Sequence, residues 1–302
     1  MLREAKNVVR IEGILSEINL KYGSYVKNGT TVDNIGGSIK VLVNQDINGE
    51  KTPLIIPVYM FSQKYTKKGE VNPAYESIEK VMKEYVSIAS GAGVEGADKI
   101  RISAGQLRMN EYPNKKGEIV SHPRVYCSFV NKAVGEFRPE ATWELEFAVS
   151  SMDYATDKDG VEIEPKELKI KVLVPQYGGK VDAMELIAKN PVAIDAISQY
   201  WERGNTYTAK GRLNFTSTTE ETIVENDFGE PDVTVRTITK TELVVTKGTQ
   251  SALDEDFAFN QAELAEGLKE RKARLEEMKT KKTPTKATPS PNTSNGPIDL
   301  GF

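Results

Sequence analysis

Apolar and polar residues alternate along residues 7–20 (NVVRIEGILSEINL), the period-two pattern of a β-strand with one buried face. Further strands are predicted at 38–44, 53–61, 99–112 and 123–130. Asn28-Gly29, Gly36-Gly37 and Asn48-Gly49 fall between or beside them, and these residue types supply the backbone conformations that turns demand. The period changes at 73–88, where Ile78, Val81, Met82 and Tyr85 recur at helical spacing and Pro73 suits a first helical turn.

The same order returns farther on, with strands at 142–152, 166–174, 205–216 and 232–246 and helical pieces at 180–188 and 191–203. Ile39-Lys40-Val41-Leu42-Val43 recurs as Ile170-Lys171-Val172-Leu173-Val174, Asn72-Pro73 as Asn190-Pro191, and Ala104-Gly105-Gln106-Leu107 as Lys210-Gly211-Arg212-Leu213. Three matches in one order point to two copies of one fold. Each copy has about five strands and one late helix, which makes a small antiparallel barrel the expected architecture, with a sandwich pair as the competing all-β arrangement. From residue 251 the pattern is helical over roughly 254–280, with Asp254-Glu255-Asp256 as the cap and Leu264, Leu268, Leu275 and Met278 on one stripe. Residues 281–297 are Pro-, Thr-, Ser- and Lys-rich and are expected to be disordered. Apolar residues return only at the end, Ile298-Asp299-Leu300-Gly301-Phe302, a peptide suited to docking in a partner's groove.

Composition bounds the rest. A chain of 302 residues with 38% hydrophobic content fits one large domain or two ordinary ones. No apolar run is long enough for a membrane span, and the N-terminal residues lack the apolar core of a signal peptide, so a cytoplasmic protein is expected. One cysteine (Cys127) precludes an internal disulfide, and one histidine (His122) leaves little room for metal sites or His-based catalysis. The net charge of −4 is unevenly spread: residues 1–139 carry 20 basic and 15 acidic side chains, residues 140–250 carry 12 and 20. Three regions follow: a basic domain, 1–139, as the polyanion binder; an acidic domain, 140–250; and helix, linker and tip, 251–302.

Asn7-Val8-Val9-Arg10-Ile11-Glu12-Gly13-Ile14-Leu15 resembles the opening strand of single-stranded-DNA-binding proteins of bacterial and bacteriophage type, with Asn7, Val9, Ile11, Gly13 and Leu15 in that family's places. Leu20-Lys21-Tyr22 and Asn28-Gly29 resemble its next loop, and the terminal Ile298–Phe302 is similar to its C-terminal tip. The resemblance implies an OB fold, sequence-tolerant binding of single strands, and a tip (Ile298, Asp299, Leu300, Phe302) that recruits replication, recombination or repair proteins. The chain departs from that pattern in having two barrels instead of one, a single acid in the tip, and Gly301 where the family has Pro.

Binding single strands requires cations for phosphates and aromatics on which bases stack. Strand alternation puts Arg124, Tyr126 and Ser128 on one face, opposite Val125, Cys127 and Phe129; it groups Arg108, Asn110 and Tyr112, and also Tyr59 with Phe61. Lys64, Tyr65, Lys67 and Lys68 form a basic loop, Lys115 and Lys116 a basic hairpin after Tyr112, and Tyr22, Tyr25 and Lys27 a third cluster. In the second copy Tyr207, Lys210, Arg212 and Phe215 are sparser candidates, with Phe215 and Leu213 assigned to the core. Asp157-Lys158-Asp159-Gly160 lacks the spacing of a full calcium loop. No Gly-rich phosphate loop with a following Lys and no Gly-x-Ser-x-Gly elbow is present, so no enzyme, metal or cofactor is expected. The competing class is a virion or scaffold protein making only protein contacts.

Overall fold

The alternating segments form strands longer than their pattern marks. β1 (Asn7–Lys27), β2 (Thr30–Ile47) and β3 (Glu50–Gln63) run antiparallel in sequence order. Past residue 20 both faces of β1 leave the core, so alternation stops there while pairing continues to Lys27↔Thr30. Asn28 (φ 50°) and Gly29 (φ 77°) close that hairpin, both with the positive φ that a tight turn of this hand needs. The computed structural model describes residues 2–47, 50–114, 116–224 and 232–280, with backbone alone for 216–224 and 232–239.

The next elements are α1 (Pro73–Glu84), a short α2 (Gly93–Gly96), β4 (Lys99–Pro113), β5 (Ile119–Tyr126) and a two-residue β6 (Asn131–Lys132). β5 pairs with β4 and, in parallel, with β3 at Val58↔Val125 and Tyr59↔Tyr126; β4 returns to β1. The closed order β1-β2-β3-β5-β4-β1, with a helix between the third and fourth strands, is an OB-type barrel.

The second copy repeats it with β7 (Glu140–Tyr154), β8 (Leu168–Pro175), β9 (Val181–Ala188), α3 (Pro191–Tyr200), β10 (Thr206–Val224) and β11 (Asp232–Gly248). β9 and β11 pair in parallel at Leu186↔Leu243, and β10 closes on β7. Asn72 and Asn190 cap α1 and α3 alike, each accepting from the amide two residues on (3.0 and 2.9 Å), with Pro at the first turn. Gly211, the match of Gly105, lets β11 and the Trp143 ring approach: a Cβ there would sit 2.1 Å from the Val244 carbonyl oxygen.

The segment expected to be helical at 180–188 is therefore a strand, Val181–Ala188, not a helix. Ala, Met, Glu and Leu favour helix locally, but Met184, Leu186 and Ala188 alternate into the barrel core, and tertiary pairing decides. The first helix stops at Glu84, not 88. β5 covers 119–126, not 123–130, so Phe129 leaves the strand and is 53% exposed instead of sharing the inner face with Val125 and Cys127. The last helix, α4 (Gln261–Thr280), starts later than expected. Asn260, not Asp254–Asp256, accepts from the first amides, Ala262 and Glu263. The sequence expectations for 281–302 lie outside the described residues.

The inward faces carry Val9, Ile11, Leu15, Ile39, Val41 and Val43 in the first barrel and Ile170, Val172, Val174 and Leu186 in the second, all essentially inaccessible. Each such side chain contributes roughly 1.5–3 kcal/mol by leaving water. Among the described residues the eleven strands form one sheet, because Asn7–Glu12 of β1 pairs with Glu140–Leu145 of β7. The buried Asn7 side chain also accepts from the Leu107 amide (2.9 Å) and donates to its carbonyl (2.6 Å), tying β1 to β4 at the junction. α4 straps the barrels from outside: Leu264 is buried, Gly267 lies against Val181 of β9, and Arg271 and Arg274 both hold the buried Glu111 of β4. No described helix is long and apolar enough to cross a membrane.

Candidate nucleic-acid interface

The outward face of the first barrel is built where β2, β3, β5 and β4 lie side by side. Registers place Tyr59 beside Tyr126, Tyr126 opposite Gln106, Arg124 opposite Arg108, His122 opposite Asn110, and Phe61 opposite Gly36. Neighbouring strands lie about 4.8 Å apart, so these side chains form one continuous surface. The Tyr59 and Tyr126 rings are 5.9 Å apart, and the Arg124 guanidinium lies 4.1 Å from the centre of the Tyr59 ring. Tyr112 meets His122 edge-on at 5.9 Å, and Arg124 Nε donates to His122 Nε2 (3.1 Å). Among the described residues no carboxylate forms an ion pair with Arg108 or Arg124. Burial and the neighbouring Arg124 hold His122 below the ordinary imidazole range, so at neutral pH it is an uncharged acceptor.

Phe61 and Tyr112 are about half exposed at the two ends of this surface. Tyr25 and Lys27 continue the same face along the β1–β2 hairpin, where Gln63 donates to the Tyr25 hydroxyl. The loop after β3 starts beside the hairpin: the Lys64 amide bonds to the Asp33 carbonyl (2.9 Å), and Lys64 Nζ lies 5.5 Å above Tyr65, with its charge also felt by Glu79 on the Tyr22 side. Lys67 and Lys68 are exposed on that loop, and Lys116 on the β4–β5 turn. Tyr22 does not join them. It lies on the opposite face of β1, where its hydroxyl donates to Glu79 of α1 (2.7 Å). Lys115 and the tip residues Ile298, Asp299, Leu300 and Phe302 lie outside the described residues.

His122 is half-buried within the face. Its alternation with Arg124 and Tyr126 carried that signal. Reasoning strand by strand missed a groove of about 780 Å³ that runs from Lys40, Pro57 and Tyr59 past Arg124, His122 and Tyr112. Its far wall is Leu213, Phe215 and Thr241, from the second barrel. Leu213 is buried, as expected for the core, but Phe215 is only partly covered.

The duplicated register allows a position-by-position comparison. Leu107↔Val125 corresponds to Leu213↔Leu243, so the positions of Arg108 and Arg124 hold Asn214 and Glu242 in the second barrel. The positions of Tyr59 and Tyr126 hold Ile187 and Val244. Burial pushes the Glu242 carboxyl up, but hydrogen bonds from Lys240, Lys189 and Asn214 outweigh it and hold the group at about 2. Tyr207, a candidate by sequence, is buried and stacks on Trp201 at 5.2 Å. At these four positions the second barrel thus does not repeat the cation–aromatic pairing of the first. No described group of three His, Cys, Asp or Glu is placed to hold a metal ion, and Asp157 instead caps its own turn through the Asp159 and Val161 amides.

Fold and surface together define a tandem OB-barrel protein with one aromatic and cationic face. The chain belongs to the YorF family, whose profile matches residues 6–281. Among solved structures it is similar to a deletion mutant of the single-stranded DNA binding protein from Thermus aquaticus (14% identity, TM-score 0.47, 83% of this chain and 97% of that one). It is also similar to the mitochondrial single-stranded DNA binding protein Rim1 of S. cerevisiae (12%, 0.26, 37% and 95%). A Plasmodium falciparum SSB in complex with ssDNA matches at 17% identity and TM-score 0.25, over 40% of this chain and 100% of that one. Comparison with curated proteins gives no match.

Proposed function

We propose that this protein binds single-stranded DNA without sequence preference, as a non-enzymatic cytoplasmic factor in replication, recombination or repair. The observation that carries the reading is the continuous face of Tyr59, Phe61, Tyr112 and Tyr126 around two arginines that, among the described residues, have no acidic partner. Stacking supplies about 1–3 kcal/mol per base and is indifferent to base identity, because every base has a π-face. Arg108, Arg124, Lys64, Lys67, Lys68, Lys116 and the Tyr25–Lys27 arm supply phosphate contacts around it. The first barrel is the main binding unit; the acidic second barrel positions and extends it. The terminal Ile298–Phe302 peptide recruits partner enzymes, a role that rests on its sequence.

The test is fluorescence anisotropy of labelled oligo-dT at several salt concentrations, with duplex of equal length as control. Tight binding to the single strand over duplex is expected. With about four phosphate contacts the single-strand slope is near −0.7 per contact, so affinity should fall roughly 50-fold between about 50 and 200 mM salt. No binding at low salt would overturn the reading and leave a protein-only scaffold.

A further inference from the structure

We infer that the single strand is held between the two barrels, with Phe215 of the second barrel stacking a base opposite the first barrel's aromatic face. The inference rests on the proposed function and names a residue that function does not require. Phe215 stands on β10 opposite Thr241 of β11, at the root of the long β10–β11 hairpin. That hairpin leans over β3, and Leu213, Phe215 and Thr241 form one wall of the groove whose other wall carries Tyr59, Tyr112 and Arg124.

The equivalent residue in the first barrel shows what this position does when it serves packing alone. Leu213 corresponds to Leu107, so Phe215 corresponds to Met109. The Met109 amide is locked to the other barrel by the buried Asp182 carboxylate (3.1 Å), and the neighbouring Glu111 is pinned by α4. Each hairpin thus reaches across to the other barrel. At this position the second hairpin carries an aromatic that is only partly covered, and Phe215 lines the groove together with Ile55, a half-exposed apolar residue of β3. An apolar and aromatic slot lined by an arginine with no acidic partner among the described residues matches a base with its phosphate. The hairpin beyond residue 219 is acidic in sequence (Glu220, Glu221, Glu225, Asp227, Glu230, Asp232 against Arg236), so the phosphate chain is confined to its root.

The test compares the wild type, Tyr126→Ala, Phe215→Leu and Phe215→Trp in oligo-dT titrations, with melting temperature as the folding control. Leu preserves apolar packing but cannot stack; Trp can stack and reports on it. The two native tryptophans, Trp143 and Trp201, are buried and should stay silent. Phe215→Leu should weaken binding roughly 5- to 150-fold, the span of one lost stack. Phe215→Trp should bind within about twofold of wild type, its emission quenched in step with anisotropy. If wild type binds and Tyr126→Ala weakens it, but Phe215→Leu is unchanged and the new tryptophan is not quenched, this inference fails alone. If wild type does not bind, the proposed function fails with it.

Discussion

Arg108 and Arg124 stand directly opposite on adjacent strands, two like charges with no described carboxylate partner. Such a pair opposes folding by about 0.2–1 kcal/mol. Arg108→Gln should therefore leave the melting temperature unchanged or slightly higher while weakening oligo-dT binding and making its salt slope shallower by about 0.7. Loss of stability together with loss of binding would show that the arginine is structural. Glu242 works in the other sense. Its carboxyl is held near 2, below its ordinary value of 4.5, so the stability it contributes is complete above pH 4.5 and is lost as pH falls towards 2. Glu242→Gln should lower the melting temperature at pH 7, and the gap to wild type should close on acidification, as read by thermal melts across pH 2–7. At this scale the sequence was legible wherever strict alternation held, as at Arg124 and Tyr126. It misled at Phe129, where the strand had ended, and at Tyr22, where Glu79 draws the hydroxyl to the helix side. Those partners come from elements remote in sequence.

Among elements, α4 depends most on distant contacts. Its stripe is weak and its fit comes from Gly267 against Val181 and from two arginines on Glu111. Hydrogen bonds to charged groups contribute about 1.5–3 kcal/mol each. Glu111→Gln should thus loosen the helix without unfolding the barrels, seen as faster amide hydrogen exchange in 261–280 with little change in β1 and β7. Unchanged exchange would mean that Leu264 and Gly267 alone hold the strap. The helix itself could be read from sequence, but its start could not, because a short run of acids looks like a cap and Asn260 does the capping. β9 was missed for a related reason: its residues favour helix by themselves, and only the core between β8 and β11 makes them a strand. Pressing the duplication one element further would have predicted it, since β3 is its counterpart.

For the whole molecule, the duplication could be read from three short matches, and the barrel order follows from it. The composite groove could not be read, because it arises from how the copies face each other. That arrangement rests on the β1–β7 pairing, which carries the sheet from one barrel into the other through residues 7–12 and 140–145. The covalent link at 127–139 buries Cys127 and Val130, pairs β6 with β4, and then leaves Val134, Gly135 and Glu136 exposed. A nick introduced in that link by an engineered protease site should therefore leave two fragments that co-elute on gel filtration and still bind oligo-dT. The peptide bond there is a convenience of synthesis; the seam between β1 and β7 is what makes the two halves one body.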